Sequence, residues 1–85
     1  MPQVTIYTKD YCPYCQAALK LLGEKKVAFE RIEIADAAMQ DAMAVRAGGR
    51  RTVPQIFIGD RHVGGCDDLY ALEAAGKLDP LLAPA

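Results

Sequence analysis

YTKDYCPYC, residues 7–15, is the stretch on which the fold turns. The strand-like run QVTIYT, residues 3–8, leads into it, rich in β-branched side chains. Val4 and Ile6 would face one side of that strand, Thr5 and Tyr7 the other. Past residue 12 the period changes. Ala17, Ala18, Leu21 and Leu22 recur at helical spacing, with Leu19 close to the same face, and predict a helix from Pro13 to about Lys25. Proline suits a first helical turn, where its missing N–H costs nothing. Cys12 and Cys15 therefore stand where a strand gives way to a helix.

Outward from this junction, VAFERIEI (27–34) alternates imperfectly between apolar and charged residues and reads as a second strand. DAAMQDAMAVRAGG starts on a capping Asp36 and ends in glycines, so a helix is expected over about 37–47. PQIFIG and RHVGG are short strands around a Gly59–Asp60 turn, the signature of a hairpin. CDDLYALEAAG reads as a third helix, with Asp67 and Asp68 in its first turn and Gly76 at its end. KLDPLLAPA reads as a tail. The order β-α-β-α-β-β-α implies a parallel first pair and an antiparallel last pair. An α/β fold is expected, a four-stranded mixed sheet covered by three helices, with residues 1–85 as one domain.

Composition narrows the function. Apolar residues make up 52% and charged residues 25%, ordinary values for a globular chain. A net charge of -1 gives no general attraction to nucleic acid or anionic membrane. No apolar run is long enough to span a bilayer. MPQVTIYTKD lacks the basic start and apolar centre of a signal peptide, so the cytoplasm is the expected compartment.

Cys12 and Cys15 could be a structural staple, half of a metal site or a redox centre. Structural disulfides are uncommon in the cytoplasm. Closing a four-residue loop would also gain only about 2 kcal/mol from chain entropy. Zinc would need Cys12, Cys15, His62 and Cys66 together, but Pro13 and Tyr14 open a helix instead of a metal knuckle. A redox pair fits better. The unpaired N–H groups of a helix N-terminus favour a thiolate at Cys12, and Lys9 adds positive charge nearby. Cys15, one turn into the helix, could attack a mixed disulfide formed on Cys12.

Two further segments bear on substrate. RTVPQIFIG places Val53–Pro54 before a strand, either as a simple strand start or as exposed backbone that pairs with an extended ligand. GGCDD, residues 64–68, is either a turn with a cap or a helix terminus that ligand anions can approach. Together, YTKDYCPYC, RTVPQIFIG and HVGGCDDLYAL resemble the glutaredoxin family over almost the whole chain, with CPYC matching its dithiol type. The resemblance implies a thioredoxin fold, a cis Pro54 and a glutathione groove. Glutathione would contact Lys9, Cys12, Tyr14, Thr52, the Val53 backbone, Gly65, Cys66 and Asp67. Its amino group would pair with Asp67 or Asp68. Some family members place a glutamine near the glycyl carboxylate, where Asp41 falls here. Arg46, Arg50 or Arg51 could substitute, but each reads first as solvated basic surface. Tyr11 is a further local variable, and Cys66 reads first as a packed wall residue.

The expected function is a glutathione-dependent thiol–disulfide oxidoreductase, with Cys12 as nucleophile and Cys15 as resolving thiol. Glutathione is the co-substrate, and no tightly bound cofactor is needed. The partners would be disulfide-containing or glutathionylated proteins, with ribonucleotide reductase one family example. The protein would be monomeric and would bind neither nucleic acid nor membrane. Two alternatives stay open. One is a glutathione-ligated iron–sulfur cluster shared by two subunits, which Pro13 disfavours by family analogy. The other is a thioredoxin-like donor recycled by a flavoprotein reductase.

Overall fold

The computed structural model describes residues 3–10 and 12–83. Its strands are β1 (Val4–Thr8), β2 (Phe29–Glu33), β3 (Gln55–Ile58) and β4 (Arg61–Gly64). Its helices are α1 (Pro13–Glu24), α2 (Ala37–Arg46), α3 (Cys66–Ala74) and α4 (Leu78–Leu82). The sheet order is β2-β1-β3-β4. β1 runs parallel to β2 and antiparallel to β3, and β3 pairs antiparallel with β4. This is the mixed sheet expected from the element order, in the thioredoxin fold that the family resemblance implied.

Alternation along the central strands divides the interior between two faces. Val4, Ile6, Ile56 and Ile58 pack with Ala18, Leu21, Leu22, Leu69, Leu78 and Leu82 in one cluster. On the other face the Arg46 guanidinium, from the end of α2, lies 4.1 Å from the centroid of buried Phe57. Tyr7 meets Phe57 edge-on and accepts a hydrogen bond from Arg46 at 3.3 Å. Asp36 caps α2 through the Met39 N–H, as its position before the alanine run predicts.

The tail expectation is corrected. Residues 78–82 form a fourth, five-residue helix whose Leu78 and Leu82 belong to the main cluster. Helical period cannot be read from so short a run, and Pro80 looks like a stop. Within the first turn, however, its missing N–H has no intrahelical partner to lose. Lys25, which caps α1, ties the end together through Glu73 at 2.7 Å and Asp79 at 2.9 Å.

β4 also carries a register shift opposite Ile56 and Phe57, which β-alternation in the sequence does not reveal. Tyr11, whose role was left open, lies outside the described residues.

Leu78 is fully buried. Leu78→Ala should cost about 2–5 kcal/mol, as core truncations do. The check is a urea midpoint, with Leu81→Ala, on the half-buried side of the same helix, losing less. Equal losses would mean that α4 is not anchored through Leu78.

Candidate functional site

The polypeptide leaves β1 and enters α1 at Cys12. This residue is the N-cap, with extended backbone, and Pro13 begins the helix. Cys12 Sγ accepts a hydrogen bond from the Cys15 N–H at 3.3 Å. A helix-terminal amide thus points at the sulfur, where it stabilises negative charge. Cys15 is only 1% exposed. Burial, followed by its hydrogen bond to Cys12, pushes its thiol up to about 11. Both cysteines, and Cys66, are free thiols.

The loop before β3 comes to the same place. Val53–Pro54 is cis, as the family resemblance implied, and the Val53 carbonyl oxygen lies 3.9 Å from Cys12 Sγ. From the far side, Gly65 caps α3 and Cys66 begins it. Tyr14, Thr52, Val53, Pro54, Gly65, Cys66, Asp67 and Asp68 line one open groove of about 360 Å³. That size suits a small-molecule ligand. Lys9 is not among these residues. It lines a second depression with Asp36 and Gln40.

The two aspartates differ. Asp68 Oδ2 accepts from the Gly65 N–H at 2.9 Å and from Arg50 Nη1 at 3.1 Å. These bonds, the Gly65 amide first, hold its carboxyl below the usual carboxylate range. Asp67 is exposed on the groove wall. Cys66 is 8% exposed, and burial, then the Asp67 charge, raises its thiol.

The three arginines read as solvated surface all have defined partners. Arg50 lines the groove and pairs with Asp68, Arg51 pairs with Asp41 at 2.7 Å, and Arg46 covers Phe57. Sequence reading also passed over Gln40, which donates to the Arg51 carbonyl at 2.9 Å, and Gln55, discussed below. No local pattern marks these long-range pairs.

The zinc quartet set aside in the sequence reading is not assembled. His62 Nε2 contacts Gln55 Oε1 at 2.6 Å and its ring stacks on Phe57. No group of three or more candidate ligands gathers among the described residues. Among those residues no helix is long and apolar enough to cross a membrane.

A thiol that accepts a helix-terminal N–H, a buried thiol one turn behind it and a groove beside the Val53–Pro54 loop fit a dithiol site. The glutaredoxin family model matches residues 4–63. The chain belongs to the glutaredoxin family. Glutaredoxin 3 of Escherichia coli is 54% identical over 82 residues, covering 96% of this chain and 99% of that one. The solution structure of glutaredoxin from Brucella melitensis superimposes with a TM-score of 0.85 at 54% identity, covering 96% and 89%. A crystal structure of the buckwheat glutaredoxin–glutathione complex gives a TM-score of 0.86 at 35% identity, covering 95% and 76%.

As a glutaredoxin the protein is a glutathione-dependent thiol–disulfide oxidoreductase, and the Cys12–Cys15 pair fits a dithiol site. Reduced glutaredoxin treated with iodoacetamide near neutral pH should be alkylated on Cys12 alone, by tandem mass spectrometry. Cys15 labelling should grow only as pH approaches about 11. Equal early labelling of both would contradict the burial argument.

Asp68 sets a second expectation. Its folded carboxyl is depressed, so the stability it gives is present above its unfolded value of about 3.9 and is lost as pH falls below that. The advantage of wild type over Asp68→Asn in urea should therefore shrink between neutral pH and about pH 3. A constant difference would show that the carboxylate's ionisation is not what matters.

Proposed function

We propose that Cys12 is the attacking thiolate and Cys15 the resolving thiol. The observation that carries this is Cys12 Sγ: it accepts the Cys15 N–H and lies beside the Val53 carbonyl at the groove. With a glutathionylated protein, the Cys12 thiolate attacks the glutathione sulfur. The Cys12–glutathione disulfide forms, and the protein thiolate leaves and takes a proton. The thiolate of a second glutathione attacks the glutathione sulfur of that disulfide. Oxidised glutathione departs, and the Cys12 thiolate is restored.

A protein disulfide is reduced differently. Cys12 attacks one of its sulfurs, and the other leaves as a thiolate. Cys15 then attacks Cys12 Sγ, releasing the second protein thiolate and closing the Cys12–Cys15 disulfide. The Cys15 proton goes to a departing thiolate or to solvent. In the resting site, the Cys12 side chain helps to hold the Cys15 proton on. A mixed disulfide on Cys12 changes that partner and leaves burial as the main restraint on the Cys15 proton. Two molecules of glutathione reopen the Cys12–Cys15 bond.

Glutathione binds with its cysteinyl backbone along Val53, beside Thr52 and Pro54, and with Tyr14 flanking it. The first amides of α3, at Cys66 and Asp67, take the γ-glutamyl carboxylate above Gly65. Its amino group pairs with Asp67, the exposed carboxylate on the groove wall, while Asp68 Oδ2 is engaged by Gly65 and Arg50. Lys9 attracts the glycyl carboxylate from the second depression. The second substrates are disulfide-containing and glutathionylated proteins, met by a monomer in the cytoplasm, where a reducing glutathione pool sustains the cycle.

Cys12→Ser should abolish all thiol transfer. Cys15→Ser should still reduce glutathione mixed disulfides but lose most reduction of protein disulfides. Assaying both variants on both substrate types is the check. Equal inactivity on the glutathionylated substrate would refute the division of labour.

A further inference from the structure

Gln55 is fully buried at the start of β3, directly after Pro54. Its Nε2 lies 3.0 Å from the Thr52 carbonyl oxygen and 3.2 Å from Thr52 Oγ1. A carbonyl can only accept, so the amide nitrogen must face Thr52 and the amide oxygen must face away. That oxygen meets His62 Nε2 at 2.6 Å. The Gln55 oxygen only accepts, so His62 must carry a proton on Nε2. Burial, then the Arg50 charge, lowers the His62 pKa and favours the neutral ring, leaving Nε2–H as its donor. The ring is held flat against Phe57, at 4.8 Å between centroids.

This chain of bonds has a direction. The Thr52 hydroxyl accepts from Gln55, so its own proton is left to donate elsewhere. Thr52 lines the groove, and its carbonyl is already engaged. We propose that Gln55 and His62 are positioning residues that fix the Thr52–Pro54 loop and aim the Thr52 hydroxyl as a donor to glutathione in the groove. The inference rests on the glutathione reading of that groove. No base, nucleophile or metal is assigned to either residue. Their effect passes through Thr52, so it falls on binding and not on the sulfur exchange itself.

The test uses two mixed disulfides of one peptide, with glutathione and with 2-mercaptoethanol. Gln55→Met removes both ends of the relay at similar volume. His62→Phe keeps the ring stack and removes the donor. Thr52→Val removes the hydroxyl. Each should lower the preference for the glutathione disulfide by about 2- to 10-fold, the span of one neutral hydrogen bond, through KM more than kcat. The Gln55→Met/Thr52→Val double variant should be no worse than the stronger single one, because the two act as a unit.

Additive losses, or equal losses on both disulfides, would overturn the relay and make Gln55 a packing residue. If Gln55→Met does not fold, His62→Phe combined with Thr52→Val decides by the same criterion. If Thr52→Val and Asp67→Asn both leave the preference unchanged, the groove reading fails and the relay fails with it. If Thr52→Val lowers the preference but neither Gln55→Met nor His62→Phe does, the groove stands and only the relay is lost.

Discussion

Everything at the redox site depends on the Cys15 N–H pointing at Cys12 Sγ. The bond exists because α1 begins one residue after Cys12, and the first amides of a helix have no partner inside it. Packing fixes where the helix begins. Cys15, Ala18, Leu21 and Leu22 are buried along one side of α1, and the last three of these belong to one core cluster with Val4 and Ile6 of β1. Rotating that helix would expose the leucines and pull the amide from the sulfur together. A core contact and a chemical contact are therefore enforced by one apolar stripe.

The same stripe separates the two thiols. Cys12 precedes the helix and is half-buried, whereas Cys15 falls on the inward face. Burial disfavours a charged sulfur, and the neighbouring Cys12 disfavours it further. Two positions three residues apart thus differ in kind: a half-buried sulfur that accepts a helix-terminal N–H, and a fully buried one behind it. Cys66, buried at the start of α3, is held as a thiol by a different wall of the groove.

The sequence made this frame legible wherever the signal is periodic or local. The alternation in QVTIYT, the leucine spacing after Pro13, the Asp36 cap and the Gly59–Asp60 turn each act over a few residues, and each led to the right element. Other features join distant residues. Arg50 meets Asp68 across 18 positions, and Arg46 reaches Tyr7 across 39. No period announces such pairs, so the arginines looked like solvated surface. His62 and Cys66 suggested zinc by spacing alone, but His62 is spent on Gln55 and Phe57. The short α4 was hidden by its length and its proline.

The Gly64–Gly65 pair shows how one motif can hold two different reasons. Read along the chain, the two glycines were either a turn before a capped helix or a path for ligand to the first amides of α3. Gly64 has φ 118°, in the region glycine favours. A Cβ there would collide with Asp68 Oδ2 and stand 2.8 Å from Arg50 Nη1. Its missing side chain thus makes room for the protein's own capping carboxylate and ion pair. Gly65 has ordinary backbone, and a Cβ there would sit 3.5 Å from both Arg50 Nη2 and the Pro54 carbonyl oxygen. Nothing in the protein forbids that atom, but it would project into the groove between the proline loop and α3. The requirement at Gly64 is therefore conformational and internal, whereas nothing inside the protein demands the missing side chain at Gly65.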